Sequence, residues 1–576
     1  MFIKETKKPN GSIQIRIVET VRNEGKIKQR TVRYVGCGTS QEKIGKLREL
    51  ARKVLAYLIN ERNSAKLLPF EAPEEFLIPK QRKKKGDKAG DDLDSVKLKN
   101  IREEKRINDG IGTIFGPEYD ELNIFPGCDL SAVNGRPGKN EERNDILKAL
   151  TLARISQPDS KRKTAINLEN NFNIGIPLEK IYRLMDFLAS EEQKIKGIIF
   201  NRTLNLLNRE IEVMLFDVTT LYFESFLEDD FRKFGFSKDC KFKEVQVILA
   251  LVTTVEGLPV TYHTFPGNLS EGKTLLKIVQ ELKEGHRVKE VTLVADRAMF
   301  TEENLKTMEA LGVKYVVASK LKRLPKTMKE AILTDICYQP QLVSNELCWV
   351  KEYRFNGRRL IVNYSSSRAK KDKSDRQRLV DRLMKKKKSG KIKIKDLINN
   401  NGTKKYIEVK GENQVEVNFA KIQEDSRWDG ISGVITNIEE KNATKILERY
   451  RSLWNIEAAF RLNKHDLSIR PIYHWKPSRI RAHLMICFLA YSLTTFVLYR
   501  LREKGLKISF RDLREEMNKT ESSIVIDQST GKKYIIPSKV TDRQKDIYQS
   551  LGYSRKAAPY SGESIRSSSL FFRDLK

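Results

Sequence analysis

Apolar positions in the middle of the chain fall into short β-rich runs separated by turn signals. VMLFDVTTLYF (213–223) is β-branched and aromatic and predicts a strand. EVQVILALVTTV (244–255) and LPVTYHTF (258–265) predict two more, joined by the tight connection Glu256-Gly257. A helix is expected over 273–284, then a buried strand, VKEVTLVAD (288–296), that ends in an acid. TEENLKTMEALG (301–312) reads as a helix. Thr301 is its N-cap, Asn304 stands where a capping box has Glu or Gln, and Gly312 closes the end. KYVVASK (314–320) is another strand. The order predicts a three-stranded meander followed by parallel crossover units, an α/β arrangement.

The flanking regions carry other patterns. IQIRIVETV and IKQRTVRYV around the turn RNEG predict a hairpin over 12–35, with Lys26, Lys28, Arg30 and Arg33 on its second strand. A helix is expected at 40–62, then the charged stretch KQRKKKGDKAGDD (80–92), which has little to bury. Residues 140–208 read as helical, with a break at Asn-Ile-Gly and a helix after Pro177 that puts Ile181, Leu184, Met185 and Leu188 on one face. Both a groove-reading helix-turn-helix and plain helical packing fit this pattern. After 322 the pattern weakens: 323–426 reads as an insertion, helical near 368–388, with seven lysines in KKKKSGKIKIK (385–395). DGISGVITN (429–437) resumes a strand, one long helix is expected over 442–464, and another over 478–502. The run LMICFLAYSLTTFVLY (484–499) in that last helix is shorter than the roughly 20 residues a membrane span needs, so burial is expected. Its arginine-rich approach, SRIRAH (478–483), keeps membrane contact as the alternative. From about 553 the Ser- and Arg-rich end reads as frayed.

These patterns divide the chain into a hairpin-and-helix unit (1–72), a charged linker (73–105), a helical, DNA-binding region (106–208), a two-part α/β core (209–322 and 429–502) around a lysine-rich insertion (323–428), and a C-terminal extension (503–576). A chain of 576 residues needs several folded units. Lys and Arg number 109 against 76 Asp and Glu, a net charge of +33, which calls for an anionic partner, nucleic acid first. Six cysteines without a CxxC pair signal neither a zinc site nor a disulfide framework, and reduced cytosolic thiols are expected. The opening MFIKETKKPNGS has no apolar core and does not read as a signal peptide.

Three acids stand out. Asp217 lies inside an apolar strand, where an unpartnered carboxylate is costly. Asp296 ends a buried strand, the end at which open α/β sheets bind ligands. Glu457 falls on the same helical stripe as Tyr450 and Lys464, flanked by Leu453, Trp454 and Phe460, so it is expected to face the core. Taken singly, the two aspartates fit structural caps, and Glu457 fits a helix pair with Lys464 or Arg461. Together, acids without a histidine or cysteine cluster suit a hard divalent ion held by oxygen. Two such ions can drive phosphodiester displacement, with the basic chain gripping phosphate. Lys385, Lys386, Lys387 and Lys388 read either as a phosphate-tracking arm or as a solvated loop.

These residues resemble the DDE transposases of bacterial insertion sequences. Asp217, Asp296 and Glu457 match the acidic triad of that family, and ERYRSLWNIEAAFRLNK (448–464) resembles the Y-x2-R-x3-E-x6-K signature of one large group. Tyr450, Glu457 and Lys464 fill their slots; the arginine slot holds Leu453, and Arg461, about 40° from Glu457 on a helix, could supply that charge. ARISQPDSKRKTA (153–165), IYRLMDFL (181–188), YHTFPGNLSEGKTL (262–275) and RPIYHW (470–475) extend the likeness over roughly 140–500. The resemblance implies a ribonuclease-H-like mixed-sheet core and catalytic, metal-holding Asp217, Asp296 and Glu457. It also implies two magnesium or manganese ions in the active complex, and contacts from Tyr450, Arg461 and Lys464 to end phosphates. The expected partners are double-stranded DNA, at inverted-repeat ends and target, and a second copy of the chain when DNA is bound. Neither membrane nor nucleotide is expected, and the place is the bacterial cytoplasm, at the nucleoid.

Two other functions compete. Gly267, Gly272, Lys273 and Thr274 complete the P-loop pattern GxxxxGK[ST] between a strand and a helix, which would make an ATPase acting on nucleic acid. The preceding strand, polar, aromatic and the return arm of a hairpin, is unlike the aliphatic parallel strand of a P-loop. A catalytically inactive, DNA-binding transposase relative is the other.

Overall fold

The computed structural model describes residues 2–7, 13–23 and 26–38, scattered positions between 41 and 55, and 98–125, 139–208, 211–235 without 226, 244–269, 274, 278, 292–295, 301–388 without 336, 403–410, and 414–561 without 441. The chain forms two compact units, 1–90 and 91–576. In the first, β1 (Phe2–Lys7), β2 (Ile13–Asn23) and β3 (Lys26–Gly38) make an antiparallel sheet in the order β1-β2-β3. The described positions from 41 to 55 are helical, and Ile15, Ile44 and Ala51 share a small core.

The second unit begins with β4 (Ile101–Asn108), so strand structure starts within the stretch read as linker. Four helices follow: α1 (Gly110–Glu121), α2 (Lys139–Ser156), α3 (Lys161–Phe172) and α4 (Leu178–Leu206). The Ser160 hydroxyl caps α3 by accepting from Lys163 N, left-handed Asn173 ends it, and Pro177 opens α4. Ile181, Leu184, Met185 and Leu188 are buried in the main core. On α4's other side Lys180, Arg183 and Asp186 are in ion pairs with Glu142, Glu179 and Arg479.

The strands of the central pattern follow: β5 (Val213–Tyr222), β6 (Gln246–Thr254), β7 (Pro259–Pro266), β8 (Thr292–Ala295), α5 (Glu302–Ala310) and β9 (Lys314–Ala318). Thr274 and Ile278 are helical, as expected between β7 and β8. Next come α6 (Lys326–Thr334), β10 (Gln339–Val343), β11 (Glu346–Phe355), β12 (Arg358–Ser365), α7 (Ser366–Lys388), β13 (Ile407–Lys410), β14 (Gln414–Val417), α8 (Phe419–Ser426) and β15 (Ile431–Thr436). The main sheet has nine strands in the order β10-β11-β12-β15-β9-β8-β5-β6-β7. β5, β6 and β7 are the antiparallel meander, β8 and β9 run parallel to β5, and β15 returns antiparallel between β9 and β12. The insertion therefore does not stand apart from the core: its first half adds three strands to the sheet, and among the described residues β13 and β14 form a separate pair.

The two faces of β5 serve different layers. Met214, Phe216 and Val218 point into a cluster with Leu305 and Met308 of α5. Val213, Leu215 and Leu221 belong to the larger cluster, with residues of α4 and of three further helices, α9 (Ala443–Arg451), α10 (Trp454–Arg461) and α11 (Pro477–Glu503). α11 is long and apolar enough to cross a membrane, with a mean hydropathy of 1.7 in its most apolar stretch, but 78% of that stretch is buried in the protein. It packs on α1, α2, α4 and β7, which makes it the central core helix.

The chain closes with α12 (Phe510–Asn518), β16 (Glu521–Asp527), β17 (Lys533–Pro537), α13 (Asp542–Leu551) and β18 (Tyr560–Ser561). β18, β17, β16 and β4 form a four-stranded sheet, uniting the two ends of the unit. Residues 553–561 are not frayed: the Arg555 guanidinium reaches buried Asp109 at 3.0 Å and the carbonyl of Glu521.

Candidate active site

Asp217 is set in the middle of the sheet by the apolar run that makes β5. Phe216 before it is fully buried, and Asp217 itself is half-buried opposite Leu251 of β6. Its Oδ1 accepts a hydrogen bond from the Val218 amide at 2.7 Å. By strand alternation its side chain shares the face of Leu215 and Leu221, the face on which α10 packs. On β5's other side Phe216 stands opposite Ala295, the last residue of β8. Asp296 follows Ala295 in the chain and lies outside the described residues. The residue after each member of this registered pair is thus an aspartate.

Glu457 lies on α10, which packs on β5 and β6 and is tied to the β6–β7 turn by Asn455 Nδ2 donating to the Val255 carbonyl at 2.7 Å. The single helix expected over 442–464 is broken. α9 stops at Arg451, the chain turns at Ser452 and Leu453, α10 ends at Arg461, and Leu462–Asp466 is a π-helical turn. Such turns change the angular step, so the sevenfold stripe of Tyr450, Glu457 and Lys464 does not persist. Ile456, Ala459 and Phe460 face the core, and Glu457 and Arg461 are exposed. Lys464 is half-buried within the π turn, and Leu453 packs against the core. Arg451 instead holds the insertion, donating to the Val343 carbonyl at 2.6 Å and to Glu346 Oε2 at 2.8 Å.

Tyr450 lines a cavity of about 680 Å³ that the sequence did not announce. The cavity opens where β9 ends, at Ala318 and Ser319, and Val317 is registered opposite Ala295. It therefore adjoins the same end of the parallel strands as Asp217. Its wall includes Lys320, Lys322, Arg368 and Lys405, together with Asp425 and Asp429. Asp429 forms a two-armed pair with Arg376. Burial pushes the Asp425 carboxyl up, but hydrogen bonds from Lys322 at 2.6 Å, Lys405 at 2.9 Å and Tyr406 at 2.9 Å outweigh it and hold the group well below the usual range. Gly430 must be glycine here: its φ is +79°, and a Cβ would meet the Ser365 carbonyl at 2.7 Å. The only sequence signal of this wall is the basic run Lys320, Lys322, Arg323 directly after a strand.

Lys385 is exposed near the end of α7. Lys386, Lys387 and Lys388 continue that helix, and their side chains lie outside the described residues, as do Gly272 and Lys273. Among the described residues no three Asp, Glu, His or Cys side chains cluster, and the donor set named from sequence includes Asp296, which is not among them. The P-loop pattern sits after β7, the antiparallel edge strand of the sheet. Gly267 has a local reason: a Cβ would stand 2.1 Å from the Gln246 carbonyl oxygen and 2.5 Å from that of Lys233.

With this geometry in place, residues 208–493 match the transposase DDE domain. No curated protein matches the chain. Among solved structures, the chain is similar to a piggyBac transposase in a synaptic complex with hairpin DNA, with a TM-score of 0.35 and 10% identity over 71% of this chain and 77% of that one, a likeness too slight to bear on the argument. The matched domain contains β5 to β15, both aspartates, the cavity and α10, and through it the chain belongs to the DDE transposases.

Proposed function

We propose that the protein binds the terminal inverted repeats of an insertion sequence and catalyses metal-dependent cleavage of its ends and their transfer to target DNA. The observation that carries this reading is the parallel register of Phe216 with Ala295, each followed by an aspartate, inside the matched DDE domain. The strand order β7-β6-β5-β8-β9, with a meander feeding two parallel strands, supports a ribonuclease-H-like core. The exposure of Glu457 on a helix packed against β5 leaves that carboxylate available as a third donor.

Asp217, Asp296 and Glu457 would hold magnesium or manganese, because the set offers only hard oxygen donors. Two such ions, when bound, supply charge stabilisation for the attacking and leaving oxygens of a phosphodiester. The chain's own residues position the DNA. Lys464, Arg461 and Tyr450 contact end phosphates, and lysines 385–388 follow the backbone from α7. The net charge of +33 supports a polyanionic partner and a place at the bacterial nucleoid. Holding two ends together makes the DNA-bound form a homodimer.

The test is nicking of a DNA that carries the sequences flanking the coding region, with magnesium and no nucleotide. Cleavage at the element's ends supports the reading; cleavage that requires ATP, or none while end binding persists, overturns it in favour of the ATPase or the inactive relative.

A further inference from the structure

Between the π turn and α11, residues 467–476 form neither helix nor strand. Ile472 is buried, Tyr473 exposed, His474 turned inward and Trp475 exposed, the period-two alternation of extended backbone. The inward side is clamped. The His474 ring meets Tyr182 edge-on at 6.2 Å and lies 5.6 Å from buried His483. Buried Arg154 donates to the carbonyls of Leu467 at 3.4 Å and Ser468 at 3.3 Å. Burial, with Lys161 nearby, lowers His474 to about 4, so the ring is neutral at ordinary pH. The outward side is the opposite: Tyr473 and Trp475 are 63% and 60% exposed, values that two large aromatic rings on a well-anchored segment do not need for packing.

One guanidinium lies at these rings, and two more cover aromatic rings elsewhere. Arg232 lies 5.3 Å from the Trp475 ring centre, Arg470 covers Tyr222 at 4.8 Å, and Arg481 covers Phe231 at 5.2 Å. Lys476 is exposed beside Trp475. Asp229 pairs with Arg232, and Asp186 with Arg479, so carboxylates neutralise part of this charge.

We infer that Tyr473 and Trp475 form a stacking platform for the unpaired bases of single-stranded DNA, an assignment of occupant that rests on the transposase reading above. Extended residues two apart stand about 6.6–6.8 Å from each other, close to twice the thickness of a stacked base. The flat rings accept any base, and the exposed cations Lys476 and Arg481 take the phosphates. Tyr222 ends β5 five residues beyond Asp217, about 17 Å along an extended strand. The strand seated on the platform is therefore one that leaves the reacting phosphate by a few nucleotides. The separation of paired from unpaired DNA at the element's end follows from aromatic stacking, which a duplex cannot offer.

The experiment uses the full chain and two fluorescein-labelled probes, a 20-nucleotide oligo-dT and a 20-base-pair duplex of random sequence, read by anisotropy. Trp475→Ala should weaken oligo-dT binding about tenfold or more, with Tyr473→Ala similar, and leave the duplex within about twofold. Trp475→Phe should retain most of the affinity, since it keeps a ring. Equal weakening of both probes, or no weakening of oligo-dT in the Tyr473→Ala, Trp475→Ala double variant, overturns the platform. Metal-dependent end cleavage by the unsubstituted chain is measured alongside: its absence with a ring-dependent oligo-dT effect removes the transposase reading and leaves the platform standing, whereas its presence without that effect does the reverse.

Discussion

Phe216 and Ala295 stand opposite each other on parallel neighbouring strands, and the next residue on each strand is an aspartate. Two acids separated by 79 positions in sequence (296 − 217) thus each follow, in sequence, a member of one registered pair. Parallel pairing requires a crossover between the strands, and the apolar runs that make β5 and β8 fix which residues meet. α10 packs on the face of β5 that the Asp217 side chain shares, which brings the helix of Glu457 to the same side of the sheet.

The junction after β7 tests the ATPase alternative. Gly267→Ala should destabilise the protein by about 1–3 kcal/mol, because the backbone oxygens of Gln246 and Lys233 cannot yield as a flexible side chain would. Lys273→Ala should reduce strand transfer by less than about fivefold, whereas a phosphate-cradling lysine would lose nearly all activity. Micromolar ATP binding that disappears in Lys273→Ala contradicts the account.

Buried Lys161 gives stability a defined pH dependence. Burial, with Arg154 beside it, lowers its ammonium to about 7, while His483 accepts from it at 3.4 Å. In the unfolded chain the group titrates near its ordinary value of about 10.4. Between these values the unfolded state binds more protons, so this residue makes stability rise with pH. Lys161→Met should remove about 1–2 kcal/mol of that rise between pH 7 and 8.5, read as a difference of a few degrees in the thermal midpoints. His474 and His483, which face it from the loop and from α11, are both shifted down and stay neutral across this window. Identical pH profiles for variant and wild type would contradict the assignment.

The β5–β9 pattern was legible because each strand is a dense β-branched or aliphatic run bounded by turn residues, and Thr301 and Gly312 mark the ends of α5 directly. The insertion was not. β10 and β11 alternate exposed polar residues such as Gln339 and Glu352 with few buried ones, and what makes them strands is pairing with β12 and, through it, β15. The break after Arg451 had no proline or glycine to announce it, and beyond it Glu457 is exposed where a continuous stripe had placed it inward. The cavity wall draws Lys322, Lys405 and Asp425 from positions up to 103 apart, a closeness only the sheet provides. At the C-terminus, Arg555 looked like part of a polar tail, but its ion pair with Asp109 spans nearly the whole unit.

The end of α7 should reveal itself through salt. Replacing Lys385, Lys386, Lys387 and Lys388 with glutamine should flatten the log–log salt dependence of DNA binding by about 2–3 if most of them meet phosphates. Cognate and random duplexes should weaken alike, because backbone contacts carry no sequence information. An unchanged slope would leave these lysines as a solvated helix end.

The central claim is that Asp217 belongs to a metal-dependent phosphodiester site, and the most direct measurement is strand transfer by Asp217→Asn. The substitution keeps the size of the side chain and the acceptor that the Val218 amide uses, so fold and end binding should survive. A neutral amide is a poor partner for a hard divalent ion, and activity with magnesium should fall by at least about a thousandfold. Strand transfer at near wild-type rate in Asp217→Asn, or by the wild type in the presence of a chelator, would contradict the account.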